Sequence, residues 1–385
     1  MRKIALINRF KVYSELAEGI AEAGAEALPY GTAEELHSLL EHTGCRAVLD
    51  INFHPDIWEE CVRVGVDYTV WSFDSDISGV LQNIDHHRLR VNDRFFLFNE
   101  EDCRRARPYH SQVYYLPFSA GPGLVRTPRR NGFCYDVAFV MNSYDETRRQ
   151  AQREYQEQLA QSGTTRKKML QLTHELGETA IQRHLPIFNT NCMEQLWREL
   201  TAACGIDPFE GKPEACHRFC RGLGQLLSTL QRETCLRTLG DAGFNVAVFG
   251  DDYWQSITPG YANMTFFGSA DYRMLPQIYN TAKVNINLTQ AQNIESIPQR
   301  IFHLLAAGGF VLTNGADTLT RLFVPGRHLQ IFSGREQLAE QVQYYLSHER
   351  ERIKIAERGH EEFLARHQIK DRINAIFEQQ PPQML

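Results

Sequence analysis

Short apolar runs separated by helix-like stretches recur along the chain. Residues 3–7, 46–51, 67–73, 94–98 and 113–116 are compact runs rich in β-branched and aromatic side chains, and residues 13–24 have helical composition. Buried strands alternating with helices predict a parallel sheet covered on both faces. Pro117, Gly121, Pro122 and Gly123, followed by Thr127-Pro128-Arg129-Arg130, break the pattern and predict a linker. A second series then opens with a strand over 136–141 and continues with strands over 245–249, 265–267, 283–288, 310–313 and 329–332. The first two of its later strands end in Gly250 and Gly268. Helices are expected after Pro276, over 297–307, and as a long pair from 336 onward. Between the first two strands of this series, residues 144–240 are rich in Gln, Glu, Arg and Leu and predict a helical excursion. Its mixed charges suit solvated helix faces; an acceptor-binding or oligomerising surface is the sharper alternative.

A length of 385 residues exceeds what one hydrophobic core organises, which agrees with two domains, at 1–125 and 132–366. A net charge of −6 and the absence of any long basic run argue against nucleic acid as a partner. No apolar run approaches the roughly 20 residues of a membrane span, and the start MRKIALINRF reads as a buried first strand, so a cytoplasmic protein is expected. Nine cysteines, an odd number without framework spacing, suit a reducing compartment. Cys216, His217 and Cys220 lack a second pair of ligands for zinc and are read as incidental.

In doubly wound sheets ligands bind beyond the carboxyl ends of strands, where helix N-termini direct backbone N–H groups at an anion. Gly250, Gly268, Ser269 and Asn287 stand at such strand ends. After Asn287 a polar loop leads to Ser296-Ile297-Pro298-Gln299, which has the spacing of a capping box with proline in the first helical turn. Such a terminus carries about half a positive charge and suits a diphosphate, with Arg300 as a bidentate phosphate partner. Glu295 and His303 flank the same terminus, within reach of ligand hydroxyls. Each residue also has a plainer reading: Ser296 and Gln299 as a structural cap, Arg300 as the partner of a carboxylate, His303 as a core histidine.

The block AKVNINLTQAQNIESIPQRIFHLLAAGGFVLTNGADTLTRLFVPGRHLQIFSG resembles the group 1 glycosyltransferases, above all their CgeB-like (spore maturation protein) branch. That branch carries Arg-x-Phe-acid-x-x-Ala-x-Gly-Gly, matched here by Arg300, Phe302, Ala306, Gly308 and Gly309. The stretches YDVAFVMNSYDETR, NVAVFGDDYW, TFFGSADYRMLPQIYNTA, VWSFDSD and VYYLPFSAGP are also similar to the family. The resemblance implies a GT-B fold: two Rossmann-like, doubly wound domains facing across a cleft, with the helical excursion inserted in the C-terminal one. It further implies a nucleotide-sugar donor, UDP-linked first, bound by the C-terminal domain, and a protein or cell-surface glycan acceptor. A final segment, 367–385, is expected to cross back to the N-terminal domain, with Ile369, Ile373, Ile376 and Phe377 forming one apolar helix face.

Two features depart from the family. Its enzymes place acids at the positions of Glu295 and His303, the first serving the sugar and the second the ribose, whereas the second residue here is histidine. The first strand also runs into Asn8-Arg9-Phe10 without a glycine-rich turn. Asp74-Ser75-Asp76 spells the Asp-x-Asp of metal-dependent transferases, but it lies far from the nucleotide signature, so neither a metal nor any other cofactor is expected. Asp74 and His54, each following a predicted strand, are the candidate general bases, with a helix N-cap as the plainer role. Glu295 completes the catalytic candidates. A catalytically silent nucleotide- or partner-binding module and a nucleotide-sugar isomerase remain as alternative functions.

Overall fold

The computed structural model describes residues 2–73 except 11, 89–125, 132–146, 149, 153, 168, 197–199, 201–203, 205, 210–211, 213–290, 293, 295–315 and 317–377. The chain forms two compact units: Met1–Arg126, Glu295–Ala306 and Glu361–Leu385 make the first, and Thr127–Ile294 with Ala307–His360 the second.

The first unit is built on β1 (Arg2–Ile7), β2 (Ala25–Tyr30), β3 (Ala47–Ile51), β4 (Asp67–Ser72), β5 (Arg94–Leu97) and β6 (Val113–Tyr115). They form a six-stranded parallel sheet in the order β2-β1-β3-β4-β5-β6. Residues Val48–Ile51 and Phe95–Leu97 are buried without alternation, as a sheet covered on both faces requires. The edge strand β2 was not expected from the sequence. It includes Pro29, and its central residues are only partly buried, so its pattern resembles a loop. An edge tolerates proline because one side of the strand needs no ladder donor.

Helix Ile369–Phe377 also belongs to this unit, and Ile369, Ile373, Ile376 and Phe377 join its core. Arg372, only 1% exposed, donates to the carbonyl of Pro117 at 3.1 Å and lies over the ring of Phe302. Burial lowers its pKa to about 10, leaving it charged at neutral pH. Its bonds to carbonyls therefore offset the cost of burying the cation.

The second unit contains β7 (Tyr135–Val140), β8 (Val246–Phe249), β9 (Met264–Phe266), β10 (Ala282–Asn287), β11 (Val311–Asn314) and β12 (Gln330–Phe332). Their order is β12-β11-β10-β7-β8-β9, again six-stranded and parallel. Numbered from β7, this is the 3-2-1-4-5-6 arrangement of the Rossmann fold. The apolar runs of β7, β8 and β10 place Val137, Phe139, Val246, Val248, Val284 and Ile286 in a second core. Of the expected helical excursion, the described part is chiefly the helix Pro213–Asp241; most of 144–212 lies outside the described residues. The described residues contain no helix long and apolar enough to cross a membrane.

Candidate functional site

In open parallel sheets a crevice forms where the strand order reverses, beyond the carboxyl ends of the strands. The first unit reverses between β1 and β3, and the second between β7 and β10.

At the first of these points, β3 is followed by Asn52-Phe53-His54, and the helix Pro55–Val64 begins. Asn52 has φ 61°, a left-handed conformation that asparagine tolerates better than most residues. Its side-chain oxygen accepts from Phe73 N at 3.0 Å and Ser72 Oγ at 3.3 Å, tying the end of β3 to the end of β4. His54 follows, with its side chain 23% exposed, and turns Nδ1 back to Asp50, 3.0 Å from Oδ1 and 3.1 Å from Oδ2. Asp50 is fully buried within β3 and also accepts from the Tyr68 hydroxyl at 2.6 Å. Burial raises the Asp50 pKa, while the hydrogen bonds and charge of His54 and the bond from Tyr68 oppose the rise. The sequence reading selected His54 but missed Asp50 and Tyr68. An acid inside the run AVLDI was the visible signal.

The other base candidate, Asp74, lies outside the described residues, as does Asp76. Among the described residues no group of three or more His, Cys, Asp or Glu side chains is arranged to hold a metal ion.

The segment Glu295–Ala306 belongs to the same unit. Its helix begins at Gln299, later than the capping pattern suggested, and Ser296 lies ahead of it in an isolated bridge with Asn99. The carbonyl of Glu295 accepts from Glu100 N at 3.1 Å, and its carboxylate pairs with Arg104. Ile297 and His303 are buried. Burial, with a smaller contribution from the charge of Arg300, pushes the His303 pKa down to about 3, so this imidazole is neutral at physiological pH. Arg300 is half-buried and has no hydrogen bond or ion pair among the described residues, which leaves its guanidinium without the carboxylate that the plainer reading required.

In the second unit the candidate strand-end residues are partly joined. Gly250 N donates to Gly268 O at 3.0 Å, and Ser269 Oγ donates to Gly250 O at 3.2 Å. A Cβ on Gly250 would lie 2.2 Å from the carbonyl oxygen of Met141, so no other residue fits without displacing the end of β7. Gly268 has φ +77°, where a side chain is strained. Next to Gly250, Asp251 Oδ2 accepts from the backbone N and the hydroxyl of Ser143 at 2.8 and 3.0 Å, fastening the turn after β7.

Asn287 is fully buried at the end of β10. Its Nδ2 donates to Thr313 Oγ1 at 2.9 Å, while Oδ1 has no partner among the described residues. Asn314 clasps the next turn through Thr289 N at 2.7 Å and Thr289 O at 3.2 Å. Ser143, Asp251, Thr313 and Asn314 were not selected from the sequence. Their roles depend on which strands become neighbours.

Residues 231–378 match the Glycosyl transferase-like family. Solved structures agree in fold along nearly the whole chain. Sucrose-phosphate synthase from Thermosynechococcus elongatus superposes with a TM-score of 0.57 at 10% identity, covering 98% of this chain and 99% of that one. T4 phage BGT in complex with its UDP-glucose substrate gives 0.51 at 12% identity, with 98% and 99% covered. The same phage enzyme with UDP and Mn2+ also gives 0.51 at 12% identity, with 97% and 99% covered. No curated protein matches the chain in sequence. The fold is thus GT-B, composed of two Rossmann-like domains.

Proposed function

We propose that the protein is a nucleotide-sugar-dependent glycosyltransferase, moving a sugar, a hexose or a close relative, from a nucleoside diphosphate to a hydroxyl of a protein or glycan. The observation that carries this reading is that the family match, residues 231–378, spans β8 to β12, five of the six strands of the 3-2-1-4-5-6 sheet. Buried Asn287, whose Oδ1 has no partner among the described residues, sits beside its reversal point. The likeness to the CgeB-like branch is part of the proposal, and UDP is the first base to test because the phage enzyme of the same fold is described with UDP-glucose.

Gly250, Gly268, Ser269 and Asn287 are proposed on the nucleotide side, and Glu295, Ser296, Ile297, Arg300 and His303 as further donor contacts. As the glycosidic bond breaks, charge accumulates on the departing diphosphate, and fixed donors and cations stabilise it. Arg300 suits that task because nothing described already occupies its guanidinium. His303, neutral and buried, offers at most a neutral hydrogen bond to a ribose hydroxyl, unlike the acid it replaces.

Incubation with UDP-, GDP-, dTDP- and CMP-sugars, following slow donor hydrolysis, tests the function directly. Hydrolysis of one donor supports it. Tight nucleotide binding without turnover points to a silent module, and release of an altered nucleotide sugar to an isomerase. Replacing Arg300 by alanine is expected to weaken nucleoside diphosphate binding by about 1.5–3 kcal/mol, the range for a charge-assisted hydrogen bond. Calorimetry showing unchanged affinity would remove Arg300 from the site. Activity is further expected to persist in EDTA, since Arg300 and backbone donors at the start of its helix would already meet the charge of the leaving diphosphate. Activity lost in EDTA and restored by Mn2+ would overturn that expectation.

A further inference from the structure

We propose that Asp50 and Tyr68 are positioning residues that hold His54 in the Nδ1–H tautomer, making Nε2 the proton acceptor for the acceptor hydroxyl during sugar transfer. This deepens the function proposed above and rests on it.

The geometry begins with Asp50. An ionised carboxylate only accepts hydrogen bonds; Asp50 accepts from Tyr68 Oη at 2.6 Å and has His54 Nδ1 against it at 3.0–3.1 Å, so we take Asp50 as ionised and Nδ1 as its second donor. The proton of a neutral His54 therefore lies on Nδ1. That leaves Nε2 with a lone pair and no partner among the described residues, on a side chain that retains 23% exposure. The hydroxyl of Tyr68 also accepts the backbone N–H of His54 at 3.2 Å, so a single tyrosine fixes both the acid and the main chain of the base. The Phe10 ring, 6.0 Å away, borders the imidazole. A surface histidine capping a helix would need none of this. The N-cap residue of Pro55–Val64 is His54, yet its side chain makes no capping bond.

The other ionisable groups near Asp50 do not compete for the role. Burial keeps Tyr30, Tyr68 and Cys61 protonated. Arg9 and Asp56 pair with each other at 3.9 Å.

The acceptor oxygen forms a bond to the anomeric carbon while the bond from that carbon to the diphosphate oxygen breaks, its electron pair leaving with the nucleoside diphosphate. The hydroxyl proton passes to Nε2. The resulting imidazolium is stabilised by Asp50 through Nδ1–H and later releases its proton to water. Asp50 keeps its charge throughout, as in other carboxylate-oriented histidine bases.

The test uses the full chain with Asp50→Asn and Tyr68→Phe, both close in shape to the residues they replace. With histidine labelled by 15N and the His54 signals identified by their loss in His54→Gln, the neutral imidazole of the native protein should carry its proton on Nδ1 rather than Nε2. Asp50→Asn should lower kcat by about 10²-fold or more, with donor KM within about threefold. It should also move the acid limb of the kcat profile to lower pH, because the imidazolium has lost its counter-charge. Tyr68→Phe should do the same more weakly. The proposal is overturned if the neutral imidazole carries its proton on Nε2, or if an active enzyme tolerates Asp50→Asn. Wild-type protein inactive with every donor would instead remove the glycosyltransferase reading itself, and the base role with it.

Discussion

Replacing His54 by glutamine is expected to lower kcat for sugar transfer by about 10²–10⁴-fold, the usual contribution of a general base. At about 1.4 kcal/mol per tenfold, that is roughly 3–5.5 kcal/mol of transition-state stabilisation. Glutamine can still donate a hydrogen bond toward Asp50, so the buried carboxylate is not left bare, but it has no lone pair basic enough to take the proton. The loss should therefore fall on kcat, with donor affinity and thermal midpoint near those of the native protein. A kcat within a few-fold of native, in a protein shown to be folded, would take His54 out of the chemistry and return attention to Asp74.

The second large effect concerns stability. Trp254 is fully buried beside β7, edge-on to Phe139 with ring centroids 5.5 Å apart. Its indole N–H donates to the carbonyl of Met141 at 2.8 Å. The same indole lies where a Cβ on Gly250 would fall, 2.7 Å from Nε1. Trp254→Ala is expected to cost about 3–5 kcal/mol, the range for deleting a large aromatic from a core, against a total domain stability of about 5–15 kcal/mol. Trp254→Phe keeps most of the packing and loses the N–H, so about 1–3 kcal/mol follows from the Met141 carbonyl left unpaired. Urea midpoints of the two variants decide this. If alanine costs no more than phenylalanine, the indole is not filling the core as described.

How much of the candidate site was legible in the sequence depended on the range of the signal. Gly250, Gly268 and Asn287 were legible because a strand followed by a glycine or a polar residue is a local pattern. His54 was legible as the residue opening a helix after a buried strand. Its partners were not. Tyr68 lies on β4, and only the register Val48 opposite Tyr68 and Asp50 opposite Val70 makes it the diagonal neighbour of Asp50 on one face of the sheet. Ser143 and Asp251 meet for the same reason, across the paired strands β7 and β8. β2 escaped notice because an edge strand with proline and half-buried positions carries neither the continuous burial nor the alternation by which strands are recognised.

The sequence by itself determined that this chain makes two parallel α/β sheets, because fully buried strands must be written as unbroken apolar runs and the helices between them as amphipathic ones. It also determined the family likeness of the C-terminal residues, through side chains close together in one segment. Only the tertiary structure decided the strand order, and with it the two reversal points, since pairing partners are chosen among strands far apart in sequence. It likewise decided that Arg300 has no carboxylate partner among the described residues, that His303 is buried and neutral, and that His54 stands on Asp50 and Tyr68. Each of these is a matter of which groups share a burial site, and burial is a property of the packed chain rather than of any stretch of it.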